Sequence, residues 1–315
     1  MESDVDSYIQ GLNKALYDRY DNALFDWKWK ENPLKGSFIS IVVVEHKTDG
    51  PVAFNSFLPI EVRRGKEIFK VVQGSDGFVD SEHRRRGLFQ KTIIFLEEQT
   101  ERIDAEFLIG FNLVEAAGAA HKVGSEIAYD VNKCFIKPSK LDKNKDPLIS
   151  LEQIDIKTLY DLYLGWAEKS SLFNINRSLN YLIWRNKHPF KINSYYDVKI
   201  DGKAIGYIIT DKIIEKERTI LTINDYNPGM VERYLGDIVQ SLCMINDDIT
   251  VIEVDTLHGS EGHRQASKIG FEILPWYRVI MKALHGAEQR GGDVYRKGLK
   301  LSDVKNWHFS ESDIY

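Results

Sequence analysis

Apolar positions change period several times along the first half of the chain. Short runs rich in Val, Ile and Phe at residues 38–45, 51–60 and 67–74, broken by turn signals such as Asp49-Gly50, predict strands. A fourth extended stretch, 77–80, follows them. Over residues 88–103 the period lengthens, with Phe89, Ile93, Leu96 and Ile103 at helical spacing. The pattern then predicts a strand at 107–111, a helix at 115–122 and a strand at 127–136. A helix over about 6–23 precedes them all. The second half predicts a helix at 156–169 and strands at 194–200, 204–210 and 219–223. After these come a helix at 231–244, a strand at 250–256, a short helix ending at Lys268 and a strand at 277–282.

The two halves repeat each other. Residues 119–127 read AAHKVGSEI and residues 265–273 read QASKIGFEI. Each predicts a last helical turn, a glycine in the left-handed position past the helix end, and entry into a strand. Upstream, Trp29-Lys30 followed by Asn32-Pro33 has a counterpart in Trp184-Arg185 followed by His188-Pro189. Two matches in the same order argue for duplication over chance similarity of helix ends. Between the halves, KPSKLDKNKDP at 137–147 is charged, has proline at both ends and lacks periodicity, so it predicts a linker or exposed loop. The expected domains are 1–140 and 148–315.

Composition narrows the function classes. The 315 residues carry 42 Lys plus Arg against 47 Asp plus Glu, a formal charge of -5, which argues against a general nucleic-acid binder. Cys134 and Cys243 make neither a disulfide framework nor a metal site, and they suit a reducing cytoplasm. The opening MESDVDSYIQ is acidic and polar, unlike a signal peptide. No apolar run approaches the roughly 18 residues of a spanning helix. Histidines lack metal spacing: His258 and His263 lie in a loop near Glu261, so no metal is expected.

Against this acidic background, VDSEHRRRGLF at 79–89 stands out. Three adjacent arginines repel one another, so they form either a solvated turn or a loop that holds an anion. A strand precedes them and an amphipathic helix follows. The first N–H groups of a helix have no intrahelical partner, and a phosphate placed there meets both those donors and the dipole. Gly87 permits the turn and close backbone approach.

Here the chain resembles the GNAT acyltransferases. Their signature is Gln or Arg, two residues, Gly, one residue, then Gly or Ala. In this chain it reads Arg84-Arg85-Arg86-Gly87-Leu88-Phe89, departing from the pattern at Phe89, where a small residue is usual. The Leu-Phe ending is similar to that of GNAT proteins of microbial surface-polysaccharide gene clusters. The resemblance covers about 8–137 with a motif and about 156–284 by element order. It implies an α/β (α+β) fold of two GNAT-like domains, each a mixed, mostly antiparallel sheet flanked by helices. It also implies that residues 84–89 bind the pyrophosphate of acetyl-CoA, that Phe78 and Val79 contact the thioester and pantetheine arm, and that Asn112 lies beside the arm. In the second half, ILTINDYNPGMVERY at 220–234 has no basic run, and Asp225 is expected to repel a phosphate, so that half is expected to lack a coenzyme site.

Transfer to an amine needs an acceptor for the ammonium proton and donors for the tetrahedral oxyanion. Asp76, Asp80 and Glu82 are the candidate bases. Asp76 also reads as a turn aspartate capping its own backbone, and Glu82 as a screen for the arginines. The tyrosine that many relatives use as acid is replaced by Ala120, and by Ala266 in the second half; His121 and Tyr129 are nearby. Asn112 also suits a helix N-cap. The aromatic pairs Trp27/Trp29 and Tyr195/Tyr196 fit core packing or a substrate pocket. The expected activity is acetyl transfer to a small amine, an amino sugar or its nucleotide-linked form among the candidates, by direct attack in a ternary complex, with the second half shaping the acceptor pocket. Transfer of aminoacyl or longer acyl groups, and acyl-CoA binding without turnover, remain open alternatives.

Overall fold

The computed structural model describes residues 2–15, 20–34, 40–47, 50–141, 146–215 and 218–310. Parts of the expected helix at 6–23, the expected strand at 38–45, the Asp49-Gly50 turn, the linker and the end of the chain lie outside the described residues. In chain order the elements are α1 (Glu2–Ala15), α2 (Asn22–Phe25) with a π-helical turn Asp26–Lys30, β1 (Ser40–His46), β2 (Gly50–Arg64), β3 (Glu67–Val79), α3 (Leu88–Thr100), β4 (Phe107–Leu113), α4 (Val114–His121) and β5 (Glu126–Ile136). Then follow β6 (Ser150–Gln153), α5 (Ile156–Ala167), β7 (Phe173–Ile175), α6 (Leu179–Asn186), β8 (Ile192–Ile200), β9 (Lys203–Glu215), β10 (Arg218–Tyr226), α7 (Met230–Ile245), β11 (Val251–Leu257), α8 (Glu261–Ile269) and β12 (Glu272–Ala283). Three short strands, β13 (Glu288–Arg290), β14 (Asp293–Arg296) and β15 (Leu299–Lys300), close the chain. The extended stretch at 77–80 is not a separate strand: residues 77–79 are the end of β3, which runs continuously from Glu67 to Val79.

The chain divides into two compact units. The first comprises Met1–Arg63, Glu67–Ala128 and Arg278–Asn306; the second comprises Arg64–Lys66, Tyr129–Tyr277 and Trp307–Tyr315. In the first unit the strand order is β1-β2-β3-β4, with the second half of β12 beside β4. β1 and β2 are antiparallel, whereas β3 and β4 are parallel. Phe57 and Val72 from the sheet, Ile93 and Leu96 from α3, and Ala117 and Ala120 from α4 form one buried cluster. Arg296 on β14 fastens the small closing sheet to the base of β3 and β4. It donates to Glu67 and Glu106 and lies 3.7 Å from the Phe69 ring centroid. Glu67 is held down at about 2 by its bonds to Arg296 and Lys297.

In the second unit the order is β5-β11-β10-β9-β8-β6, again mostly antiparallel with one parallel pair, β10 and β11. α7 covers this sheet through Val231, Leu235, Ile238, Val239 and Leu242, whose 3–4-residue spacing puts them on one face. No helix among the described residues is long and apolar enough to cross a membrane.

The repeated glycine motifs have one geometry. Gly124 (φ 89°) and Gly270 (φ 97°) both sit in the left-handed region. Ser125 N donates to Ala120 O, and Phe271 N donates to Ala266 O, so both helix ends close with the same bond across the same interval. β5 and β12 then begin at Glu126 and Glu272.

Candidate active site

β3 and β4 stay paired only as far as Gly74↔Gly110. Residues 75–79 of β3 run on past that point, and Asp80 N donates to Val52 O, tying the strand end to β2. Two parallel strands that part in this way open a gap between their carboxyl ends. β10 and β11 do the same in the second unit, where their register stops at Ile223↔Val254.

At the gap in the first unit, Asp76 takes a left-handed backbone, φ 52°, within the strand. An L-residue with a Cβ rarely adopts that region in a strand. The carboxylate is buried. Its Oδ2 accepts from the Tyr8 hydroxyl at 2.5 Å and from Lys28 Nζ at 2.6 Å. Lys28 Nζ also donates to Ser75 Oγ at 2.6 Å. Asp76 therefore does not cap its own turn as a local aspartate would; its partners lie far away in sequence. Burial and the Asp76 carboxylate push the Tyr8 phenol well above its ordinary range, which keeps it a donor.

The arginine loop begins with a 3-10 turn over Ser81–His83, capped by Asp80, whose Oδ1 accepts from Glu82 N. Asp80 also pairs with Lys14, which holds its carboxyl below the usual range. Arg84, Arg85 and Arg86 are exposed, as is Glu82. Arg85 (φ 64°) and Gly87 (φ 72°) are both left-handed, so the loop bends sharply just before α3. Gly87 is the N-cap of α3 and supplies no side-chain bond, and the first turn holds no acidic residue. A helix start with free N–H groups, no acid and three exposed guanidinium groups around it fits a pyrophosphate. Arg84 Nε donates to Val79 O at the end of β3, and Arg86 Nη2 donates to Glu82 O in the 3-10 turn, both at 3.2 Å.

Phe89 has a local explanation. A Cβ on Gly77 would come within 2.9 Å of the Phe89 ring, so the glycine in β3 makes room for the large residue in the motif. Phe78 is buried, with its ring 5.1 Å from that of Phe54, and Val79 is half-buried beside it. Asn112 lies within β4, and the N-cap of α4 is Leu113, so Asn112 does not cap that helix. Its amide oxygen would meet a Cβ on Gly110 at 2.9 Å, which places it against the last glycine of β4 that pairs with β3. Ala120 is fully buried, and the nearby His121 is exposed, with its ring at Ser125 O. Tyr129 belongs to the second unit, where its ring packs on Phe309. Trp27 and Trp29 are buried core residues.

The second unit corrects one expectation. Asp225 does not project its charge toward a loop. It is fully buried, pairs with Arg177 Nε, and accepts from Tyr226 N. The contrast with the first unit lies further along the chain, at the start of α7. Gly229 (φ 86°) caps α7 as Gly87 caps α3, but Glu232 occupies the first turn of α7 and the loop carries no arginine cluster. A carboxylate there already answers the helix dipole and repels an anion. His258 and His263 both contact Asn132 Nδ2 through Nδ1, at 3.2 and 2.9 Å.

Two partners were not visible in the sequence. Lys28 and Tyr8 lie in segments where nothing local marks them. One signal existed: Tyr8 and Trp29 are separated by the same interval as Tyr163 and Trp184, and Tyr163 likewise sits in a buried polar cluster, where its hydroxyl accepts from Arg177 N.

No family model matches this chain, and no curated protein matches it. Solved structures do. A GCN5-related N-acetyltransferase from Anabaena variabilis superposes with TM-score 0.64 at 14% identity, covering 90% of this chain and 71% of that one. A tandem GNAT protein from the clavulanic acid biosynthesis pathway gives TM-score 0.60 at 11% identity, covering 91% and 97%. Saccharomyces cerevisiae N-myristoyltransferase, solved with bound myristoyl-CoA, gives 0.60 at 12%, covering 89% and 78%. The fold of this chain is the GNAT fold, in a tandem arrangement of elements like that of the clavulanic acid pathway protein.

Proposed function

We propose that the protein is an acyltransferase that uses acetyl-CoA as co-substrate and transfers the acetyl group to a small amine in a ternary complex. The observation that carries this reading is the start of α3: a helix N-terminus with no side-chain cap and no acid in its first turn, preceded by two left-handed residues and three exposed arginines. Arg84, Arg85, Arg86, Gly87, Leu88 and Phe89 hold the pyrophosphate, by charge and by backbone N–H groups. The arm lies in the gap between the ends of β3 and β4, beside Phe78, Val79 and Asn112, hydrogen-bonding as an added strand would. Amides at the end of β3 face the thioester carbonyl and stabilise the oxyanion formed on attack.

The amine must lose a proton as its nitrogen bonds to the carbonyl carbon and the thiolate leaves. Glu82 is the exposed carboxylate nearest the strand end in sequence and accepts that proton directly or through water. Asp76 has its Oδ2 already engaged by two donors, and it serves the site from beneath. With Ala120 at the place of the usual acid, the thiolate leaves without a protein donor, which a thiol of modest pKa permits. An amino-sugar acceptor is supported by the likeness of the Leu-Phe motif ending.

The test is release of free thiol from acetyl-CoA with a panel of amines, amino sugars and nucleotide-linked amino sugars included. Turnover with one class names the acceptor. Saturable binding of acetyl-CoA with no release on any amine would favour a binding protein instead. Release from longer acyl-CoA alone would favour the longer-acyl alternative, in keeping with the myristoyl-CoA bound to the yeast protein of similar fold.

A further inference from the structure

Asp76 poses a question that the coenzyme loop does not answer. A left-handed residue with a side chain in mid-strand costs free energy unless its surroundings hold it there. The surroundings here are specific. Tyr8 and Lys28 both donate to the same oxygen, Asp76 Oδ2, at 2.5 and 2.6 Å. All three side chains are buried. Tyr8 is itself fixed by rings on several sides: Phe54 at 5.1 Å, Phe25 at 5.7 Å, Tyr20 at 5.9 Å and Trp29 at 6.5 Å between centroids. Lys28 stands on the π-helical turn Asp26–Lys30 and is anchored a second time by Ser75 Oγ. Ser75 is anchored in turn, because its carbonyl accepts from Ser56 Oγ at 2.7 Å. The three residues after Asp76 are Gly77, Phe78 and Val79, the end of β3 that runs beyond β4.

The second unit repeats the chemistry with different parts. β10 shifts register between Ile223 and Asp225, at the point where it leaves β11. Asp225 at that shift is buried and pairs with a buried cation, Arg177, whose backbone N donates to the Tyr163 hydroxyl at 3.1 Å. The cation is Arg instead of Lys, and it comes from the segment between β7 and α6 instead of a π-helical turn. A carboxylate, a cation and a tyrosine thus recur at the same structural event, the parting of the parallel strands.

We propose that Tyr8 and Lys28 are positioning residues for acyl transfer: by clamping the Asp76 carboxylate they hold β3 in its left-handed turn and so set the direction of the Gly77, Phe78 and Val79 amides at the gap. The catalytic purpose of this clamp rests on the acyltransferase reading above; its effect on the strand does not.

Two measurements on the full-length chain separate these levels. The first is amide hydrogen exchange without coenzyme. In Tyr8→Phe, which keeps the ring and removes one donor, exchange at residues 77–79 rises on the order of tenfold, the equivalent of one lost hydrogen bond. Residues 69–72 of the same strand keep their protection. Lys28→Met gives a larger local rise; if it does not fold, Tyr8→Phe decides alone. Unchanged exchange at 77–79 in folded Tyr8→Phe overturns the clamp. The second is the infrared carbonyl stretch of acetyl-CoA labelled with ¹³C at the carbonyl. The bound thioester shifts to lower frequency in the wild type, and the variants lose part of that shift while affinity for acetyl-CoA stays within about threefold, a change of less than 1 kcal/mol. A full carbonyl shift in a variant with raised exchange overturns the positioning role. Failure of the wild type to bind acetyl-CoA overturns the coenzyme reading and the catalytic purpose together, with the exchange result still judging the clamp.

Discussion

Arg84 and Arg86 are exposed, yet each is drawn back onto a carbonyl of its own neighbourhood, Val79 and Glu82. Those bonds cost little to exchange for phosphate oxygens, since both lie at 3.2 Å and are exposed. Arg84→Ala and Arg86→Ala should each weaken acetyl-CoA binding by about 1.5–3 kcal/mol, the range for a charge-assisted bond, and leave the melting temperature where it is. Unchanged affinity by calorimetry would return the arginines to a solvated turn. A different residue governs acid stability. His308 is fully buried with Nε2 at 2.8 Å from Tyr226 O, which makes it an N–H donor in the neutral ring. Burial, and then the nearby Arg177, lower it from 6.5 to about 4. The unfolded chain protonates this ring near pH 6.5, the folded chain only near 4, so the unfolded state binds the proton first. Stability is full above about pH 6.5 and falls as pH drops toward 4, by up to about 3 kcal/mol. Urea midpoints at pH 7 and pH 4.5 should differ accordingly, and His308→Gln, less stable at pH 7, should flatten that slope. An equal slope in wild type and variant would place the acid sensitivity elsewhere.

Helix ends were the most legible elements, because their chemistry is local. Gly124 and Gly270 could be placed past their helices from five or six neighbouring residues, and both take the left-handed backbone that the motif demands. Nothing crowds a Cβ at Gly270, and at Gly124 the nearest atom is Lys282 Cε at 3.5 Å, an ordinary contact. Substitution therefore costs backbone strain and little else. Gly124→Ala and Gly270→Ala should each destabilise by about 1–2 kcal/mol, and by similar amounts, in chemical denaturation. A near-zero cost at either would mean that the two ends are not equivalent. The π-helical turn Asp26–Lys30 was not legible, since its apolar Trp27 and Trp29 suit a strand or a helix equally until packing decides. Nor was the closing sheet β13–β15: it owes its place to Arg296 meeting Glu67 and Glu106, far away in sequence. The same applies to Asp225. Its charge was visible, but the buried Arg177 that answers it lies 48 residues away, and local pattern carries no record of such a pair.

At the scale of the whole chain, a strand parting followed by a glycine-capped helix is found in each unit among the described residues, and the two helix starts differ in charge. The difference is a handful of side chains. Before α3 stand Arg84, Arg85 and Arg86, and no acid follows in the first turn. Before α7 stand Asn227, Pro228 and Gly229, and Glu232 follows. Asn227 is also committed elsewhere, since its Oδ1 accepts from Tyr207 N at 2.6 Å and a Cβ on Gly206 would strike it at 2.8 Å. Burial raises Glu232 above its ordinary range without any cation strong enough to reverse the shift, and either protonation state works against a second coenzyme. Charged, it repels the pyrophosphate; neutral, it still fills the first turn. Calorimetric titration of the intact chain with acetyl-CoA should therefore give one equivalent. Arg84→Ala combined with Arg86→Ala should weaken that single event and reveal no second one. Two equivalents per chain, or a residual site unaffected by the arginine changes, would show that the start of α7 binds coenzyme despite Glu232, and Glu232→Gln would then be expected to tighten that second site.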